Sequence, residues 1–346
     1  MRIVSSFIKG TLVAAALISA PETGAQKLSK TTPAGKNIYE LAFDQQHKVI
    51  YVASVGVKDN PALRPHIIKL EAKTLKVLDS IGMEHGPAFG LAINNRTQTL
   101  YASNTVTNSV LAVDLKSGRQ TLIPSGKESS HTRELVVDED ANIIYVSDVV
   151  GREDPGRIWV IDGNTNTLKK MIETGGSVTT GLALDKENNR LYISNWGSHQ
   201  IGIIDLAQDK EVKTFDAGGK QPTNLAYDAK GKRLFVTNQE SGDVTVLSVP
   251  EGKLITKIAT GKGALGIRFD PERKRGFVAN RGAGTVTVFD SETYRVLADL
   301  KTGTHPNTVV LDNETGTAYV TNKAGAPGGQ GGAADRNGDT VSLIAP

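Results

Sequence analysis

The chain has no cysteine, which excludes disulfides, a thiol nucleophile and a lipid anchor on a cysteine. It is poor in methionine (3), tryptophan (2) and aromatic residues overall (5%). No charge sign dominates: 40 Lys and Arg against 37 Asp and Glu leave +3, whereas a dedicated nucleic-acid binder shows a strong basic patch. Beyond the first 25 residues no apolar run is long enough for a transmembrane helix. Neither a Gly-x-Ser-x-Gly elbow nor a P-loop is present, so the serine-hydrolase and nucleotide-hydrolase classes find no motif.

What the chain does have is a repeat. An aromatic residue in a short strand-forming run ending in small polar residues occurs at Tyr51-Val-Ala-Ser, Tyr101-Ala-Ser-Asn, Tyr145-Val-Ser-Asp, Tyr192-Ile-Ser-Asn, Phe235-Val-Thr-Asn, Phe277-Val-Ala-Asn and Tyr319-Val-Thr-Asn. Spacings of 42 to 50 residues are those of propeller blades. One unit reads as four short strands, 180–185, 190–194, 200–205 and 211–215, separated by polar turns. Each first strand ends in Asp or Asn, a turn-opening residue. The chain stops inside the third strand of its last repeat, while Lys27 to Lys36 matches the fourth strand at Lys253 to Lys262 in type and spacing. The expectation is an all-β, seven-bladed β-propeller with four antiparallel strands per blade, closed by an N-terminal strand in the last blade. It occupies 26–346 as one domain with a Gly-rich insertion at 323–339. Within that insertion, Asp335-Arg-Asn-Gly-Asp339 has calcium-loop spacing but lacks the following glycine and a terminal glutamate.

Residues 1–25 read as a secretory signal peptide: Arg2 and Lys9, an apolar run from Gly10 to Ala20, and small residues for cleavage after Ala20 or Ala25. The expected location is the periplasm or the cell exterior.

First strands line a propeller's channel, so positions that break the repeat there are candidate ligand contacts. Aligning the repeats on Leu41, Leu91, Leu135, Leu182, Leu225, Ile267 and Val309 puts Tyr39, Phe89, Arg133, Thr180, Thr223, Leu265 and Asn307 two residues earlier. One residue earlier stand Glu40, Gly90, Glu134, Gly181, Asn224, Gly266 and Thr308. From these rows Tyr39, Glu40, Phe89, Arg133, Glu134, Thr223 and Asn307 are the candidate ligand-binding residues. Arg133 has two readings, an ion pair with Glu40 or Glu134 and contact with a ligand. His85, His131 and His305 approach the same mouth and are candidate metal ligands without a metal-binding spacing. Two basic clusters, Lys230 to Arg233 and Arg273 to Arg275, fall in equivalent turns.

The assembled chain resembles the YncE-type periplasmic β-propellers of the YVTN-repeat family. The closest markers are Asn37-Ile-Tyr-Glu-Leu-Ala42, Asn94 to Leu100, Arg133-Glu-Leu-Val136, Thr179 to Asp185 and Thr304-His-Pro-Asn307. The resemblance implies a seven-bladed propeller with a non-enzymatic role, and it points to DNA binding. The expected function is therefore a binding propeller, without cofactor and monomeric, that holds single-stranded DNA or a small polar ligand at the channel mouth. The alternatives are a metal- or cofactor-associated redox accessory and a scaffold for a periplasmic protein.

Overall fold

A computed structural model describes residues 26–127, 130–325 and 336–346. The signal-peptide reading, residues 326–335 of the Gly-rich insertion and Asp335 of the calcium-like loop lie outside the described residues.

Among the described residues the chain forms seven antiparallel four-stranded sheets. Among those residues the only helical element is one 3-10 turn, Pro61–Leu63. The first strands of blades 1 to 7 are Ile38–Asp44, Leu91–Asn94, His131–Asp138, Thr179–Asp185, Pro222–Asp228, Ala264–Asp270 and Pro306–Leu311. Each packs on the first strand of the next blade, and that of blade 1 packs on that of blade 7, which closes the ring. The Asp or Asn that ends each first strand, or in blade 7 follows it, opens the next turn as the composition predicts. Asp44 Oδ1 accepts from the Gln46 and His47 amides at 2.9 and 3.0 Å, and Asp270 Oδ1 does the same for Glu272 and Arg273 at 3.0 Å each.

Blade 7 takes its outer strand from the other end of the chain. Lys27–Pro33 pairs with Thr340–Ala345, with Leu28 opposite Ile344 and Thr32 opposite Val341. This pairing covers an edge that would otherwise be open.

The core lies between blades. Described buried apolar residues form seven clusters, each shared by two neighbouring blades. Phe43 and Ile50 of blade 1 meet Tyr319 and Val341 of blade 7, for example. The repeat aromatics sit in these seams, and burial pushes the phenols of Tyr51, Tyr101, Tyr145, Tyr192 and Tyr319 up to about 12.

Candidate functional site

The pairing of first and second strands slips at one place in six of the blades. In blade 4, Thr179 pairs with Asn195 and Leu182 with Ile193, so Thr180 and Gly181 together face the single residue Ser194. The same slip falls between Ile38 and Leu41, Thr132 and Leu135, Pro222 and Leu225, Ala264 and Ile267, and Pro306 and Val309. Bulges re-aim side chains, and here the two bulged residues are those of the two candidate rows. The small polar residue of the repeat serves this bulge. The hydroxyls of Ser103, Ser147, Ser194, Thr237 and Thr321 accept from the amides of Gly90, Glu134, Gly181, Asn224 and Thr308 at 2.8 to 3.3 Å.

The bulges open into one cavity of about 500 Å³. Tyr39, Glu40, Phe89, Arg133, Glu134, Thr223 and Asn307 all line it, with Thr180, Leu265, Gly90 and Asn224. The second row alternates in size. A Cβ on Gly90 would stand 2.4 Å from the Arg133 carbonyl oxygen, and one on Gly181 or Gly266 would stand 2.3 Å from the Thr223 or Asn307 carbonyl. Adjacent first strands approach too closely there for a side chain on every blade.

Glu40 and Glu134 meet across the gap that Gly90 leaves. Glu40 is buried, its Oε2 accepts from the Leu91 amide at 3.3 Å, and its carboxyl is hydrogen-bonded to Glu134. Burial first, and then the charge of Glu134, hold Glu40 well above the usual carboxylate range, against the opposing pull of Arg268. Burial and the neighbouring acid thus disfavour the ionised form of Glu40, and the hydrogen bond joins the two carboxyls to each other.

Arg133 is exposed and forms no ion pair with either glutamate, so its ion-pair reading is corrected: the two acids bond to each other instead. Among the described residues the arginines in carboxylate ion pairs are Arg96, Arg157, Arg233, Arg273 and Arg275. Arg133 and the other two cavity arginines, Arg152 and Arg281, are in none. Arg281 Nη1 donates to Asn307 Oδ1 at 3.2 Å. In the two basic clusters Arg233 pairs with Asp228 and Glu292, Arg273 with Asp270, Lys274 with Glu292 and Arg275 with Asp290.

The aromatic wall is Tyr39 edge-on to Phe89, with ring centroids 5.2 Å apart and planes at 77°. Lys323 Nζ lies 3.5 Å from the Tyr39 ring centroid. Burial, then the positive charge of Arg281, then that of Arg133 press its ammonium down to about 7, against Glu40 and Asp339. Trp196 faces the cavity too, its Nε1 donating to Gln239 Oε1 at 3.1 Å. The Thr223 hydroxyl is already committed, donating to the Gln221 carbonyl at 3.1 Å.

The histidine reading is corrected in part. Of the three, only His131 lines the cavity. His305 holds a left-handed turn position (φ 44°), and the His85 carbonyl accepts from Asn104 Nδ2 at 2.9 Å. Among the described residues no three His, Asp or Glu side chains gather as a metal site.

First-strand alignment missed Thr105, Val149, Trp196, Gln239, Arg281 and Lys323. They carry a signal of their own: each immediately follows the last residue of the repeat motif, Asn104, Asp148, Asn195, Asn238, Asn280 or Asn322. Those positions form a second ring at the mouth, and five of the six line the cavity, with Lys323 behind Tyr39.

Comparison with known proteins agrees with this architecture. The YNCE-like beta-propeller family matches residues 19–272. A relative named "Uncharacterized protein YncE" from Escherichia coli (strain K12) is 35% identical over 218 residues, 60% of each chain. Its namesake from Salmonella typhi is 35% identical over 219 residues, covering 60% of this chain and 59% of the relative. The chain thus matches about 60% of the length of these curated relatives. With seven closed blades and a family match over most of its length, the chain belongs to the YNCE-like β-propeller family.

Proposed function

We propose that this protein is an exported, non-enzymatic and monomeric binding propeller whose channel mouth holds an anionic ligand. One observation carries the reading: three guanidiniums without a carboxylate partner among the described residues share a cavity with the rings of Tyr39, Phe89 and Trp196. Aromatic faces stack on bases, and arginines bind phosphate through paired N–H donors. Single-stranded DNA, the ligand to which the family resemblance points, would stack a base on Tyr39 or Phe89 and place phosphates on Arg133 and Arg281.

The test is a titration of the mature chain with a fluorescent single-stranded oligonucleotide at increasing salt. Three phosphate contacts give a slope of about −2 in log affinity against log salt. Arg133→Gln reduces that slope by roughly one contact. No signal at low salt removes the DNA reading.

A further inference from the structure

The mouth has a feature that stacking and phosphate contact along a strand do not use: its cations come from opposite sides of the ring. Arg133 belongs to blade 3, Arg281 to the turn after the second strand of blade 6, and Lys323 to the equivalent turn of blade 7. Arg133 and Arg281 line the same cavity, and the charge of both is felt at Lys323. A group with one negative charge would satisfy one side of this arc. The floor beneath is occupied by the Glu40–Glu134 pair, where Glu40 reaches across to the Leu91 amide. What is left is a cup of about 500 Å³, inside the roughly 300–1,000 Å³ range of small-molecule sites.

We propose that the mouth is a receptor for a compact polyanion, a small phosphate- or polycarboxylate-bearing molecule that bridges Arg133 and Arg281. The inference rests on the binding reading above and names the ligand class. The charges facing Lys323 are Arg281 from blade 6, Arg133 from blade 3, Glu40 from blade 1 and Asp339 from the segment before the last strand. The two arginines oppose an ammonium at that point, and Glu40 and Asp339 favour it. A polyanion placed among these groups reverses the balance. Free Lys323 titrates at about 7, so an anion that restores its ordinary basicity draws a proton from solution at neutral pH. Affinity then falls as pH rises above 7, by at most about tenfold per unit.

The experiment is calorimetric titration of the mature chain with inorganic phosphate and, separately, citrate, at about pH 6 and about pH 8.5. Two buffers of different ionisation enthalpy are used at each pH. The two ligands distinguish a phosphate source from a carboxylate source. The expected result is one-to-one binding of at least one of them, tighter at the lower pH, with proton uptake. Arg133→Gln and Arg281→Gln each weaken it by about tenfold or more, the loss of one charge-assisted hydrogen-bond pair. Lys323→Met abolishes the proton uptake. Thermal unfolding of each variant verifies that it is folded.

Failure of both anions to bind at about pH 6, or unchanged affinity in both arginine variants, overturns the ligand class. Proton uptake that persists in Lys323→Met overturns the role of the lysine. An oligonucleotide that binds through Arg133 while neither anion binds or displaces it overturns this inference and leaves the binding reading standing. Absence of binding by all three probes overturns both.

Discussion

Two places break the sevenfold repeat, and they differ in how their charges are settled. In blades 5, 6 and 7 the last residue of the motif is an asparagine whose Nδ2 donates to a hydroxyl on the third strand: Asn238 to Thr245 at 3.3 Å, Asn280 to Thr287 at 2.8 Å and Asn322 to Ser342 at 2.9 Å. Blade 3 has Trp159 at the equivalent third-strand place and Asp148 where the asparagine would be. An indole N–H can only donate, so the motif residue must accept. Trp159 Nε1 donates to Asp148 Oδ2 at 3.0 Å, Ser130 Oγ and the His131 amide donate to Oδ1 at 2.9 and 2.8 Å, and Arg157 Nη2 pairs with Oδ2 at 2.9 Å. This departure is closed on itself, with every partner inside the blade or its approach. The mouth is the opposite case. Its acids are bonded to each other and, among the described residues, its arginines have no carboxylate partner. On the proposed reading, departure from a repeat marks a binding site only where partners are left over.

That contrast can be broken by substitution. The largest effect is expected from Arg157→Leu, which leaves the fully buried Asp148 without its cation and costs about 3–5 kcal/mol, measured by denaturant unfolding. Ligand binding in the folded fraction stays as in the parent. Next comes Gly181→Ala, whose Cβ would stand 2.3 Å from the Thr223 carbonyl; spreading blades 4 and 5 costs about 1–3 kcal/mol and disturbs the mouth, so stability and binding fall together.

Glu40→Gln has a smaller effect whose sign depends on pH. Because the folded-state pKa of Glu40 is raised, the folded protein binds the extra proton between the ordinary carboxylate range and the raised value. Stability contributed there is complete below the ordinary value and is lost as pH rises through the raised one. Lys323, lowered to about 7, acts oppositely and gains stability as pH rises from 7 towards its ordinary range. Unfolding of Glu40→Gln followed against pH lacks this loss with rising pH and equals or exceeds the parent at neutral pH. The smallest stability change is expected for the exposed Arg133→Gln, within about 0.5 kcal/mol of the parent, although its binding effect is the largest.

The body of the molecule was legible in the sequence because periodicity encodes it. The aromatic spacing counted the blades, the Asp and Asn row placed the turns, and the likeness of Lys27–Lys36 to Lys253–Lys262 identified the closing strand. The mouth was half legible. The first-strand rows contained Arg133, Glu40 and Glu134, but which of them pair depends on the space that Gly90 leaves, a three-dimensional property of adjacent blades. The large-small alternation of Glu40, Gly90, Glu134, Gly181, Asn224 and Gly266 was visible in the sequence, yet its meaning comes from carbonyls on the neighbouring strand. Arg281 and Lys323 escaped a different limit: they sit after the motif, in turns where a solvated lysine or arginine is the ordinary expectation.

The most direct test of the central claim, that the mouth arginines without a carboxylate partner are where this propeller binds, is hydrogen exchange of residues 26–346 with and without a saturating single-stranded oligonucleotide. Protection is predicted at the bulge amides of the first strands and in the turns carrying Arg152, Arg281 and Lys323, with the outer strands Val77–Gly82 and Val296–Lys301 unchanged. Protection confined to those outer strands, or none at the mouth, would contradict it.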